Sequence, residues 1–180
     1  GAPRLAERVA ARLAEAGLPV HLVADGGLDH GIWTPLRYMY PDADVPVVQL
    51  SIDRRLAPAA HLELARDLLA LRHEGVLILG SGNLTHNLRD AFGRMRAGAS
   101  ETPDWARRFD ALVPSALEQH DDATIVAAGQ TDDGRMSHPT PDHWLPLIYA
   151  LGATDREDAV TYPIEGFDAG SLSMRAVRWG

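Results

Sequence analysis

An α/β fold, with a mostly parallel or mixed central sheet and helices on both faces, is predicted here by three observations. Residues 46–52 (Pro-Val-Val-Gln-Leu-Ser-Ile) and 76–79 (Val-Leu-Ile-Leu) are apolar runs without the polar alternation of a half-solvated strand. A stretch with helical period separates them, so strand, helix and strand follow in order. The 180 residues, 46% hydrophobic and 23% charged, suffice for one domain with a substantial core.

The elements read as follows. Leu5, Val9 and Leu13 recur every four residues behind Pro3, with Gly17 after them, which predicts an amphipathic helix. Val20 to Val23 reads as a short strand, and a short helical segment after Asp29-His30-Gly31 runs to Tyr38–Tyr40, stopped by Pro41. Pro58 opens a second clear helix, with Leu62, Ala65 and Leu69 beside Leu64, Leu68 and Leu71, ending near Gly75. Residues 103–119 look helical but for an interruption at Pro114, and residues 129–137 read as a polar loop. Thr140-Pro141-Asp142 caps a helix to about Leu151, and residues 162–164 and 171–179 are candidate closing strands.

Composition narrows the function. A net charge of −8 argues against nucleic acid and anionic membrane as partners, and no apolar run approaches the roughly 18 residues of a membrane span. The chain contains no Cys, which excludes disulfides, thiolate metal sites and a Cys nucleophile. It also fits a reducing compartment, and a cytoplasmic location is expected. Any metal must be held by His and carboxylate. The first residues lack an initiator Met and an apolar signal core, so the chain is expected to begin inside a larger protein.

Chemistry is expected at the turns. The run Gly80-Ser-Gly-Asn-Leu-Thr-His86 follows a predicted strand, at the end where α/β sheets place ligands, and its glycines permit a tight backbone that projects His86. It is not a dinucleotide fingerprint, because Thr85 stands where the third glycine is needed. His30 sits in a second turn, and His143 in the first turn of the helix capped at Thr140. Three imidazoles at three turns suit a divalent transition metal or acid/base work near neutral pH. Of the remaining His, residues 21, 61, 73 and 120 are expected at the surface, and His138 stands five from His143, the wrong spacing for a helical chelate.

Five segments in order resemble the 4,5-DOPA extradiol dioxygenase family, a branch of the class III, LigB-like ring-cleaving enzymes. They are Leu28–Leu36 (Leu-Asp-His-Gly-Ile-Trp-Thr-Pro-Leu), Met39–Ser51, Gly80–Leu88 (Gly-Ser-Gly-Asn-Leu-Thr-His-Asn-Leu), His138–Leu147 (His-Pro-Thr-Pro-Asp-His-Trp-Leu-Pro-Leu) and Gly170–Met174. The resemblance implies a LigB-like domain over residues 1–180, a non-haem Fe(II), often replaced by Zn(II) in isolated protein, and a catechol and O2 as small-molecule partners. It implies that His143 is a metal ligand, that His86 is the acid/base group, and that His30 orients substrate or oxygen. The family's other two ligand His lie in His-Gly-Ser-Pro and Ser-Ala-His-Trp motifs, and neither occurs here. The chain therefore looks like the C-terminal part of the family domain, and catechol cleavage by these 180 residues alone is not expected. The rival readings are a non-catalytic LigB-like binding protein and, below it, a zinc hydrolase lacking an identified carboxylate base. Oligomer assembly stays open.

Overall fold

Apolar residues at helical spacing become nine α-helices in the computed structural model, which describes residues 1–180. Pro3 opens α1 (Pro3–Glu15), whose Leu13 is buried, and Gly17 beyond it takes φ +79°, an angle that glycine adopts without a Cβ clash. Asp29 caps α2 (His30–Met39), its Oδ1 accepting from the Ile32 N–H at 3.2 Å. The second apolar stretch forms α3 (Pro58–Arg66) and, after a turn, α4 (Leu69–His73). Next come α5 (Leu88–Ala97), α6 (Asp104–Glu118), α7 (Asp122–Ala128) and α8 (Asp132–Ser137). A 3-10 turn at Pro141–His143 leads into α9 (Leu145–Gly152). No helix is long and apolar enough to cross a membrane.

Two apolar clusters hold these helices together. In the larger, Phe109, Val113 and Leu117 of α6 meet Ile125 of α7 and Trp144, Leu145 and Ile148 at α9. The smaller joins Leu13 of α1 to Ala65, Leu68, Leu71 and Tyr149. Helices α3 and α9 pack directly on one another, and a Cβ at Gly152 would lie 2.5 Å from the Ala65 Cβ and 2.8 Å from the Leu62 carbonyl oxygen. Only a residue without a side chain lets the two helices approach this closely.

The sheet differs from expectation. Strand β1 (Val160–Ile164) pairs antiparallel with β4 (Ala176–Trp179), and β2 (Phe167–Asp168) with β3 (Leu172–Ser173), giving two two-stranded ladders and no central sheet. Residues 20–23, 46–52 and 76–79 belong to no strand or ladder. Strand propensity is local, whereas a ladder needs a second backbone about 4.8 Å away, and these segments have none bonded to them. Residues 45–52 and 75–81 wall an open groove of about 1120 Å³, and Leu77 is left 61% exposed. The architecture is therefore mixed α and β with helices dominant.

Three further expectations are corrected. Pro114 lies inside α6 and does not end it, because Val113, Ala116 and Leu117 on both sides of it are buried in the core. Residues 132–137 are helical, Thr131 Oγ1 accepting from the Gly134 N–H at 3.0 Å. Gly134 is required there by contact and not by a turn, since a Cβ would come within 2.0 Å of the Ala128 carbonyl oxygen. His61 is fully buried, and its Nδ1 lies 2.9 Å from the Tyr149 hydroxyl. His21, His73 and His120 are exposed as expected.

Candidate active site

The glycine-rich turn passes directly against the backbone that carries His143. A Cβ at Gly80 would lie 2.3 Å from the Pro146 carbonyl oxygen, and one at Gly82 would lie 2.3 Å from the His143 carbonyl oxygen. Neither glycine has a positive φ, so close approach is what demands glycine at both positions. The Asn83 N–H then donates to the His143 carbonyl at 3.1 Å, fixing the two segments together.

The rest of the turn is held from both sides. Thr85 is fully buried; its hydroxyl donates to the Ser171 carbonyl and accepts from the Ser173 N–H, both at 2.7 Å. Behind it, the Ser173 hydroxyl donates to the Asp110 carboxylate at 2.5 Å, and Arg175 clamps the same carboxylate through Nη2 at 2.7 Å. On the opposite side the His86 N–H donates to the Ser137 carbonyl at 2.9 Å, and Asn87 Nδ2 to the Met136 carbonyl at 2.7 Å. His138 Nε2 lies 2.8 Å from the Leu84 carbonyl oxygen. These bonds leave the backbone on either side of His86 little freedom.

The result is a ring contact between residues 57 apart in sequence: the imidazoles of His86 and His143 stack at 3.5 Å between centroids, inclined by 16°. Burial lowers the pKa of His86, and the adjacent His143 lowers it further. Burial also lowers that of His143; Asp142 works against this and His30 adds to it. Both rings are therefore neutral near pH 7, the state that accepts a proton.

His30 is the exposed first residue of α2 and lines the 1120 Å³ groove together with His143. Its position is set by two tethers: Gln49 and Asp29 exchange bonds of 3.1 Å at the helix start, and the Ser81 hydroxyl donates to the Gly31 carbonyl. Thus His143 is the shared member, stacked on His86 and facing the groove with His30. Expectation missed the turn's supports, Thr85, Asp110, Arg175 and His138, because their partners stand 54 to 88 positions away and no local spacing announces them.

As a metal centre the arrangement is incomplete. His143 has a buried Nδ1 without a hydrogen-bond partner, and its Nε2 lies 3.8 Å from Asp142 Oδ2, but no group of three His, Asp or Glu side chains is gathered anywhere in the chain. Selective binding of Fe(II) or Zn(II) by N and O ligands needs about three such donors, so these residues alone do not fit the ion.

Comparison with known proteins places the chain as a whole. Residues 1–168 match the family model described as the catalytic LigB subunit of aromatic ring-opening dioxygenase. The chain is 44% identical over its full length to the 4,5-DOPA dioxygenase extradiol of Escherichia coli K12, and 35% identical over 99% of its length to that of Beta vulgaris. In each case it spans 66% of the relative's length, just under two thirds. A crystal structure of an uncharacterized protein from Escherichia coli K12 superposes with a TM-score of 0.87 at 44% identity, covering 98% of this chain and 72% of that one.

Proposed function

Because this chain belongs to the LigB family of aromatic ring-opening dioxygenases, we propose that it carries the acid/base part of an extradiol dioxygenase that opens a DOPA-like catechol with O2. The observation that supports this most is the stack of His86 on His143, beside a groove lined by both His143 and His30. His86, neutral and fixed by its turn, takes the proton of a catechol hydroxyl; a positioned base of this kind contributes roughly 10²- to 10⁴-fold. His30, at the groove surface, orients the substrate or oxygen. His143 serves as the one imidazole ligand that this chain offers to iron, or to zinc in its place.

The remaining ligands, in this reading, come from the third of the relatives' length that these residues do not span. That segment also supplies backbone to pair with residues 46–52 and 76–79, which now wall the groove with apolar side chains exposed. The domain is then a single LigB-like unit of which residues 1–180 are the larger part.

Elemental analysis and the yellow absorbance of a ring-opened product with DOPA test the proposal. The 180 residues alone are expected to hold metal well below one equivalent and to give no product, whereas a protein spanning the relatives' full length holds metal and turns over. Stoichiometric metal with turnover from the 180 residues would overturn the division of ligands. A full-length protein with neither would leave the non-catalytic binding reading.

A further inference from the structure

We propose that His138 is a positioning residue, the strut that holds the turn bearing His86 in register with His143. The inference depends on the dioxygenase reading only for its activity readout.

The chemistry of the contact defines the state of the ring. A carbonyl oxygen only accepts, so the ring nitrogen 2.8 Å from the Leu84 oxygen must carry its proton, and His138 is the Nε2–H tautomer. Its Nδ1 is buried with no partner. A second proton there would have no acceptor, because the ring is packed against Phe109 and Trp144 at centroid distances of 5.6 and 5.5 Å. His138 therefore acts as a neutral donor locked by two aromatic neighbours.

Its neighbours use the same segment differently. Ser137 and Met136 support the turn through their backbone carbonyls, which accept from the His86 N–H and from Asn87 Nδ2. Side-chain substitution cannot remove those acceptors. Met136 Sδ adds a 3.7 Å contact to the same Asn87 amide, but His138 is the residue of this segment whose side chain donates to the turn's backbone, and it holds Leu84, two positions before His86. Phe fills the ring's volume but donates nothing, which orphans the buried Leu84 carbonyl; Gln restores an N–H donor.

The experiment compares the full chain with H138F and H138Q by amide hydrogen exchange and by 15N NMR of the His138 ring. In the parent, the ring shows one protonated nitrogen, Nε2, at neutral pH. In H138F the His86 and Asn83 amides exchange faster by about tenfold or more, while amides of α3 and α9 keep their protection. H138Q returns the two amides toward the parent rate. In a protein spanning the relatives' length, H138F lowers kcat by roughly 10²-fold with KM nearly unchanged, the effect of a misplaced reacting group, and H138Q recovers it. Acceleration of all amides together, a parent-like H138F, or an H138Q as impaired as H138F would each overturn the proposal. If H138F does not fold, a parent ring protonated at Nδ1 instead of Nε2 overturns it on its own. Absence of ring cleavage in the full-length parent would refute the dioxygenase reading and leave the exchange result to judge the strut.

Discussion

Replacing Gly82 by Ala puts a methyl group where the backbone of His143 already stands. The new Cβ would lie 2.3 Å from the His143 carbonyl oxygen, 3.1 Å from its carbon and 3.3 Å from Pro146 Cγ. Ordinary contact begins near 3.4 Å, so the turn and the start of α9 must separate by about 1 Å. Overpacking of this kind costs about 1–3 kcal/mol, and stretching the Asn83 N–H bond to the His143 carbonyl adds about 1 kcal/mol. For a chain of this size, a total of about 2–4 kcal/mol lowers the melting temperature by roughly 5–15 °C. The same displacement pulls His86 away from His143, whose rings now stack at 3.5 Å. Calorimetric melting of G82A beside G93A provides the assay. Gly93 lies inside α5, where an added methyl would meet nothing within 4 Å, so G93A is expected to gain about 0.5–1 kcal/mol from helix propensity. A G82A melting point within about 2 °C of the parent would refute the claim that contact, and not conformation, demands glycine at this position.

Three other outcomes are expected. Burial pushes the pKa of His138 down to about 4 from 6.5, so the unfolded chain binds more protons between those values; stability is therefore full above pH 6.5 and falls by about 3 kcal/mol as pH drops toward 4, with urea unfolding at pH 7 and pH 4.5 as the check and a flat profile as the contrary result. Arg175→Met leaves the buried Asp110 carboxylate without its guanidinium and costs about 3–5 kcal/mol in thermal or urea unfolding, whereas Asp110→Asn in the same background recovers part of it; equal stability of R175M and parent would contradict the pairing. In the protein spanning the relatives' length, His86→Ala is expected to keep its metal and lose roughly 10²- to 10⁴-fold in cleavage, while His143→Ala loses the metal as well; equal metal loss in both would reassign His86.

The helices that pack by a single apolar stripe were legible from residue order. Pro3 with Leu5, Val9 and Leu13 specifies α1, and Pro58 with Leu62 and Ala65 specifies α3, because helical period and a proline in the first turn are local properties. The turn at residues 80–86 was equally legible, since two glycines at the end of an apolar run mark a tight backbone. The reason for the glycines was not. It lies in the carbonyls of His143 and Pro146, some sixty residues onward, which only the folded chain brings within 2.3 Å. Residues 76–79 show the same limit from the other side: their strand propensity is plain in the sequence, yet a ladder depends on a neighbouring backbone that propensity does not supply. His138 is the sharpest case. Its distance of five from His143 is uninformative, because its partner is the Leu84 carbonyl, 54 positions away. Helical period does put His61 on the face of Ala65 and Leu68, but it does not supply the Tyr149 hydroxyl that meets its ring, nor set His86 on His143, since contact between distant residues is decided by which backbone lies across the gap, and that is a property of tertiary packing alone.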